Sequence, residues 1–261
     1  MRLPYALVDG LKTKPSKGGV GLCPVCDGEL IAKCGDKNVH HWAHKGYRSC
    51  DPWWENETDW HREWKSRFPE EWREVVHQDE NGERHIADVK TSEDWVLEFQ
   101  HSYIENQERS SRTNFYPKII WVVDGLRRKL DKKQFDSALE SGLKEYENPE
   151  IRRVFMKDSK RLVDEWLMPR GLVVFDFGDM MLWIMLPKLS SRYVFFVAIN
   201  KEMLTNLLYE KNFDGYVKEV INPIFQAVAN FEKKRIEDLA QARAKANARV
   251  RKRRLGKSYR I

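Results

Sequence analysis

The segments at residues 84–91 and 95–101 flank the turn-like Ser92-Glu93-Asp94 and read as a β-hairpin. A register centred on Glu93 sets Asp88 directly opposite Glu98. Opposed residues share a face, as do residues two apart on a strand. One side of the hairpin then carries Asp88, Lys90, Glu98 and Gln100, and the other Ala87, Val89, Leu97 and Phe99. Two carboxylates facing each other repel unless a cation lies between them, and an oxygen-rich pair suits Mg²⁺ or Mn²⁺. A metal held there can bind a scissile phosphate, acidify a bound water and stabilise the leaving oxygen. A solvated strand face with chance acidic residues would show the same spacing.

A second group converges on the hairpin. Pro52 precedes a helix-like segment, residues 53–68, which Pro69 stops. Within it Glu57, His61 and Lys65 fall at i, i+4 and i+8 and line one side. Trp53, Trp60 and Trp64 supply apolar anchors that hold this helix to a sheet. A glutamate here can bind a second ion or orient the water.

The third group is soft. Cys23-Pro24-Val25-Cys26 is a C-x2-C knuckle, followed by the H-x2-H pair His41-Trp42-Ala43-His44 and by Cys50. Tetrahedral zinc takes four N or S ligands. The first choice is Cys23, Cys26, His44 and Cys50, with His41 as the substitute, and Cys34 and His40 as ordinary neighbours. Four protein ligands leave no open position, so such a zinc is structural. A His-His pair beside a knuckle also suggests an HNH nuclease, a minor alternative that needs a further metal-binding histidine on a following helix.

These residues need positioning elements. A polar helix at 105–116 leads to the apolar run 119–123, a buried strand that ends at the turn signal Asp124-Gly125. Helix, hairpin, helix and strand make an α/β arrangement in which that strand can lie beside the hairpin. Residues 126–168 read as helices, 172–177, 180–186 and 193–199 as strands, and the rest as helical, Ala-rich and Arg/Lys-rich from 236 to 254. The N-terminus shows only a strand-like run at 5–8 and a Lys/Gly/Pro loop. The expected divisions are a strand and knuckle (1–51), a core (52–130), an α/β extension of unknown role (131–231) and a basic helical tail (232–261).

A chain of 261 residues, 41% hydrophobic and 12% aromatic, can bury a sizeable core. No apolar run approaches the length of a bilayer span and no signal-peptide core is visible, so a cytoplasmic protein with reduced, metal-binding cysteines is expected. The net charge of +6 is concentrated at one end. Residues 232–261 hold twelve Lys/Arg against three Asp/Glu, which leaves the body mildly acidic. Such a tail suits a polyanion. Arg249, Arg251, Lys252, Arg253 and Arg254 would bind nucleic acid by counterion release, with strong salt dependence. Arg109 and Arg112, three apart on the helix after the hairpin, could grip a phosphate through their forked donors.

At these residues the chain resembles the competence protein CoiA-like family, whose core looks like a PD-(D/E)XK nuclease. The resemblance runs through Cys23-Pro24-Val25-Cys26, His41-Trp42-Ala43-His44, Glu57-Thr58-Asp59-Trp60-His61, Lys65, Ala87-Asp88-Val89 and Glu98-Phe99-Gln100-His101-Ser102. It continues through Arg112, Phe115-Tyr116 and Trp121-Val122-Val123-Asp124-Gly125, covering roughly residues 20–130. It implies a restriction-endonuclease-like α/β core, with Asp88 and Glu98 as metal ligands and Glu57 as the acidic residue of the first helix. Gln100 stands where the wider class has lysine, and Lys90, Lys65 or His61 would have to supply the basic group. The expected activity is divalent-metal-dependent hydrolysis of DNA phosphodiesters. Two rivals stand beside it: a non-catalytic DNA-binding accessory in DNA uptake or recombination, and an interaction protein. A protein partner could dock on 131–231 or on the tail.

Overall fold

The computed structural model describes residues 2–37, 39–46, 50–51, 53, 57–190 and 192–258, with side chains described as far as Arg249. The N-terminal part is a five-stranded antiparallel sheet: β1 (Ala6–Val8), β2 (Leu11–Thr13), β3 (Val20–Leu22), β4 (Glu29–Lys33) and β5 (His41–His44), in the order β2-β1-β3-β4-β5. Sequence patterning showed only the first of these, because strands of three to five residues with few buried positions display little alternation. The core of this sheet is small: Leu3, Ala6, Cys23, Leu30 and Trp42.

A nine-stranded sheet forms the body. Its strands are β6 (Arg73–Gln78), β7 (Arg84–Lys90), β8 (Val96–Gln100), β9 (Ile119–Asp124), β10 (Leu143–Glu147), β11 (Glu150–Phe155), β12 (Leu172–Asp176), β13 (Met181–Met185) and β14 (Tyr193–Asn200). They lie in the order β10-β11-β14-β13-β12-β9-β8-β7-β6. The helices are α1 (Asp59–Ser66), α2 (Asn106–Phe115), α3 (Asp131–Ser141), α4 (Arg161–Trp166), α5 (Lys201–Tyr209), α6 (Phe213–Tyr216) and α7 (Asn222–Ser258). The mixed α/β architecture and helical C-terminus are as expected.

The middle of the sheet is parallel, β8 to β9 to β12. These three strands are buried along their whole length, as strands covered on both faces must be. One face packs with α1, α5 and α6 around Trp64, Phe99, Val122 and Leu204. The other packs with α2, α3 and α4 around Tyr116, Trp121, Phe135 and Trp166. Residues 52–130 and 131–231 therefore contribute strands to one sheet.

Three expectations need correction. Residues 126–168 are not all helical, because β10 and β11 form an edge hairpin between α3 and α4. Every residue of β10 is exposed, so its sequence carries no burial alternation. Strand β6 also went unread, since it too lacks clean alternation. The helix expected over 53–68 begins only at Asp59, because Thr58 caps it, and residues 54–56 lie outside the described ones.

Helix α1 is held down by a contact that no local pattern reveals. Asp176, at the end of β12, accepts from the indole nitrogens of Trp60 (3.2 Å) and Trp64 (2.8 Å). Lys201 donates to the same carboxylate at 3.0 Å, and all but a trace of both side chains is buried. Trp64 also stacks on Phe99, with ring centroids 5.6 Å apart. In this way α1 is fixed across the strands that carry Asp88 and Glu98.

Candidate functional site

The four soft residues of the knuckle come together. The ligand atoms of Cys23, Cys26, His44 and Cys50 all lie within 4.8 Å of one another. Cys23 Sγ is 3.5 Å from Cys50 Sγ, and Cys26 Sγ is 3.4 Å from His44 Nε2. Tetrahedral zinc with its usual bond lengths sets such edges at roughly 3.5–3.8 Å. The spacing and the Cys3His donor set therefore fit a structural zinc. Strand β3 delivers Cys23, and Asp27 at φ 57° closes the turn around Cys26, its N–H donating a hydrogen bond to the Cys23 carbonyl at 2.9 Å. His44 ends β5. Burial, followed by the neighbouring Cys23 thiol, pushes the Cys50 thiol well above its ordinary range, a penalty that a bound dication removes. His41 points elsewhere, its Nδ1 2.9 Å from the Val39 carbonyl.

The carboxylates occupy a cleft of about 290 Å³ between the small sheet and the body. Its floor carries Asp88, Glu98 and Gln100 from the β7–β8 hairpin, with Glu57, His61 and Lys65 on one wall. The hairpin register is Val89↔Leu97 and Lys90↔Val96, and the paired ladder ends there. Beyond it the strands part. The Asp88 carboxylate takes over as acceptor, receiving the Phe99 N–H at 2.9 Å.

Lys65 is the hub of the wall. Its ammonium lies 2.8 Å from Asp88 and 3.1 Å from Glu57, and it also bonds to Glu74. Its side chain is about one-tenth exposed. Glu74 was not anticipated, because the strand that bears it was not. It sits at φ 50°, uncommon for a residue with a Cβ, and drops out of the β6–β7 pairing between Arg73↔Val89 and Val75↔Ala87. Glu57 precedes the helix rather than riding on it, yet still reaches Lys65.

The electrostatics divide the two central carboxyls. Burial disfavours the Asp88 charge, but Lys65 and then the Phe99 amide outweigh it, and the group is held below its ordinary range. Glu98 is 4% exposed, and burial followed by the Asp88 charge pushes it up to about 8, despite Arg112 at 3.2 Å. In metal-free protein Glu98 thus keeps its proton between its ordinary value near 4.5 and about 8, where the unfolded chain has lost it. The folded state binds the extra proton, so this group's contribution to stability declines as pH rises through that window. Thermal melting from pH 5 to 9 should show the decline in wild type and a flatter curve in Glu98→Gln.

His61 is committed to structure at both nitrogens. Its Nε2 donates to the Phe99 carbonyl at 2.8 Å, which leaves Nδ1 to accept the Thr58 N–H at 3.2 Å, completing the α1 capping box. Gln100, 1% exposed, donates to Ser102. Lys90 lies away from the cleft, 3.2 Å from both His77 Nδ1 and Asp94. Arg112 reaches the cleft, but Arg109 does not: it is buried over the Trp166 ring, 5.3 Å away. In α7, residues 236–249 are exposed, Arg249 among them. The side chains of Arg251, Lys252, Arg253 and Arg254 lie outside the described ones. Among the described residues no helix is long and apolar enough to cross a membrane.

Lys65→Met tests the hub. It leaves Glu57, Glu74 and Asp88 facing one another without their cation, at a cost of about 3 kcal/mol. Urea unfolding should show a larger loss at pH 8 than at pH 5, where protonation relieves the repulsion.

The molecule is thus a mixed α/β protein with a Cys3His knuckle set against an acidic cleft. Residues 19–52 match the family model described as competence protein CoiA, N-terminal domain, a span that contains all four knuckle ligands. The match is a likeness to the CoiA family over that span. Comparison with curated proteins and with solved structures finds no match.

Proposed function

We propose that the chain is a divalent-metal-dependent nuclease of the PD-(D/E)XK type that hydrolyses DNA phosphodiesters in a competence-related process. The observation that carries this reading is the convergence of Asp88, Glu98, Glu57 and Lys65 in one recessed cleft, from a hairpin, a helix and the segment that leads into that helix. The chain order α1, β6-β7-β8, α2 and parallel β9 is compatible with it. So is the burial of Glu98 beside Asp88, which disfavours two bare carboxylate charges and which a bound cation would relieve.

Among the described residues the acidic groups are not gathered as tightly as the knuckle ligands. Asp88 and Glu98 would hold Mg²⁺ or Mn²⁺, with Glu57 nearby. A bound ion supplies Lewis-acid polarisation of the phosphate and an acidified water. Lys65 fills the role that Gln100 leaves open: its ammonium faces the developing phosphorane charge while orienting Asp88. Arg112 holds the Glu98 carboxylate in place, and His61 fixes α1 against the hairpin. The exposed basic helix α7 adds affinity for the DNA backbone without sequence preference.

One observation favours the non-catalytic accessory: Lys65 is engaged by three carboxylates. Incubation of plasmid and single-stranded DNA with Mg²⁺ or Mn²⁺, beside an EDTA control, separates the readings. Metal-dependent cuts support the nuclease. Tight binding without cleavage on either substrate selects the accessory.

A further inference from the structure

The link between knuckle and cleft runs through one residue. Asp51 follows the knuckle ligand Cys50 and is 3% exposed. Its Oδ1 accepts from His85 Nδ1 at 2.9 Å and from the Trp53 amide at 3.0 Å, and its Oδ2 from the Ile86 amide at 3.2 Å. Ile86 lies two residues before Asp88 on β7, on the same face of the strand. The Trp53 ring stacks on His85 at 3.4 Å between centroids, and the Trp53 carbonyl accepts from Arg112. Arg112 in turn donates to Glu98. One buried carboxylate therefore ties the metal knuckle to the strand that bears Asp88 and to the arginine that holds Glu98.

We propose that Asp51 is a positioning residue that transmits the order of the metal knuckle to both central carboxylates of the cleft. The alternative, a knuckle that acts as an independent module, gives no reason for a buried carboxylate beside Cys50 to take three donors from two segments. A buried acceptor is costly unless its donors stay in place, so these contacts resist separation. For its catalytic consequence the proposal rests on the nuclease reading, but its structural consequence does not.

The test uses the full chain as wild type and as Asp51→Asn, each with zinc and after removal of zinc by a chelator. Zinc content, amide hydrogen exchange over residues 84–90 and the kinetics of DNA cleavage are measured. Asp51→Asn should keep its zinc and a KM within about twofold, with kcat about tenfold lower. Exchange over 84–90 should rise about tenfold. Chelation should raise that exchange in wild type and add little in Asp51→Asn, where the link is already cut. Unchanged exchange and kcat in the variant, or an equal response to chelation in both proteins, overturns the proposal. Should Asp51→Asn lose its zinc, His85→Gln breaks the same link away from Cys50, and wild-type exchange in that variant overturns it too. A wild type that never cleaves sinks the nuclease reading alone, while the exchange data still decide the coupling.

Discussion

Asp88→Ala should abolish metal-dependent DNA cleavage, lowering kcat by about 10³-fold or more while leaving DNA binding within a fewfold of wild type. Of the two central carboxyls, Asp88 is the one whose surroundings favour its charge: burial works against it, but Lys65 at 2.8 Å and the Phe99 amide at 2.9 Å outweigh that penalty. On the proposed reading it is the anionic ligand that would receive a dication, and a charged oxygen ligand is what Mg²⁺ and Mn²⁺ demand. Removing it also strips Lys65 of one partner and leaves the Phe99 N–H without its acceptor, which costs about 1–3 kcal/mol. Loss of activity could then reflect a loosened hairpin. Asp88→Asn separates the two effects, since its amide oxygen can still accept from Phe99. The Asn variant should melt close to wild type and remain inactive. A further readout is independent of turnover: Mn²⁺ should raise the melting temperature of wild type and not of Asp88→Asn, by linkage to a site that only the native state possesses. Cleavage by the Asn variant at a wild-type rate would remove Asp88 from the metal site. Equal stabilisation of both proteins by Mn²⁺ would do the same.

Loss of the knuckle metal should be the most damaging structural change. The five-stranded sheet encloses five buried residues in its core, Leu3, Ala6, Cys23, Leu30 and Trp42, and three of its strands are only three residues long. A core of that size does not order a sheet alone. Structural zinc in such small units contributes about 10–16 kcal/mol of apparent binding free energy. Cys23→Ser should therefore abolish stoichiometric zinc and unfold residues 3–44 while the nine-stranded sheet persists. Trp42 provides the readout, because it is 1% exposed with its indole donating to the Thr13 carbonyl at 3.0 Å. Amide exchange around Trp42 should become fast in Cys23→Ser and in chelated wild type, and the central strands 119–124 should stay protected. His41→Ala, by contrast, should keep its zinc, since His41 lies outside the cluster. A Cys23→Ser protein that retains protection at Trp42 would show that the small sheet folds without metal.

The sequence alone determined the parts of this protein that depend on short separations. The turn at Ser92-Glu93-Asp94 fixed a register that the pairs Val89↔Leu97 and Lys90↔Val96 reproduce, because a hairpin has one natural alignment once its turn is known. Soft ligands at C-x2-C and H-x2-H spacing marked the knuckle, since that chemistry has few other uses in a reduced protein. The buried runs that became β9, β12 and β14 were equally plain. Tertiary structure decided what lies between. Which lysine serves the cleft depended on α1 being anchored by Asp176, more than a hundred residues away, and on Glu74 from a strand with no legible pattern. His61 was one candidate for the basic group that Gln100 lacks, and the fold commits both its nitrogens to the α1 cap and the Phe99 carbonyl. Arg109 and Arg112 looked alike on their helix, but only one faces the cleft. Asp51 is a lone acid after a cysteine in the sequence, and only the fold brings His85 and Ile86 to it. Periodicity records which face of an element is buried, but it does not say which distant group meets that face.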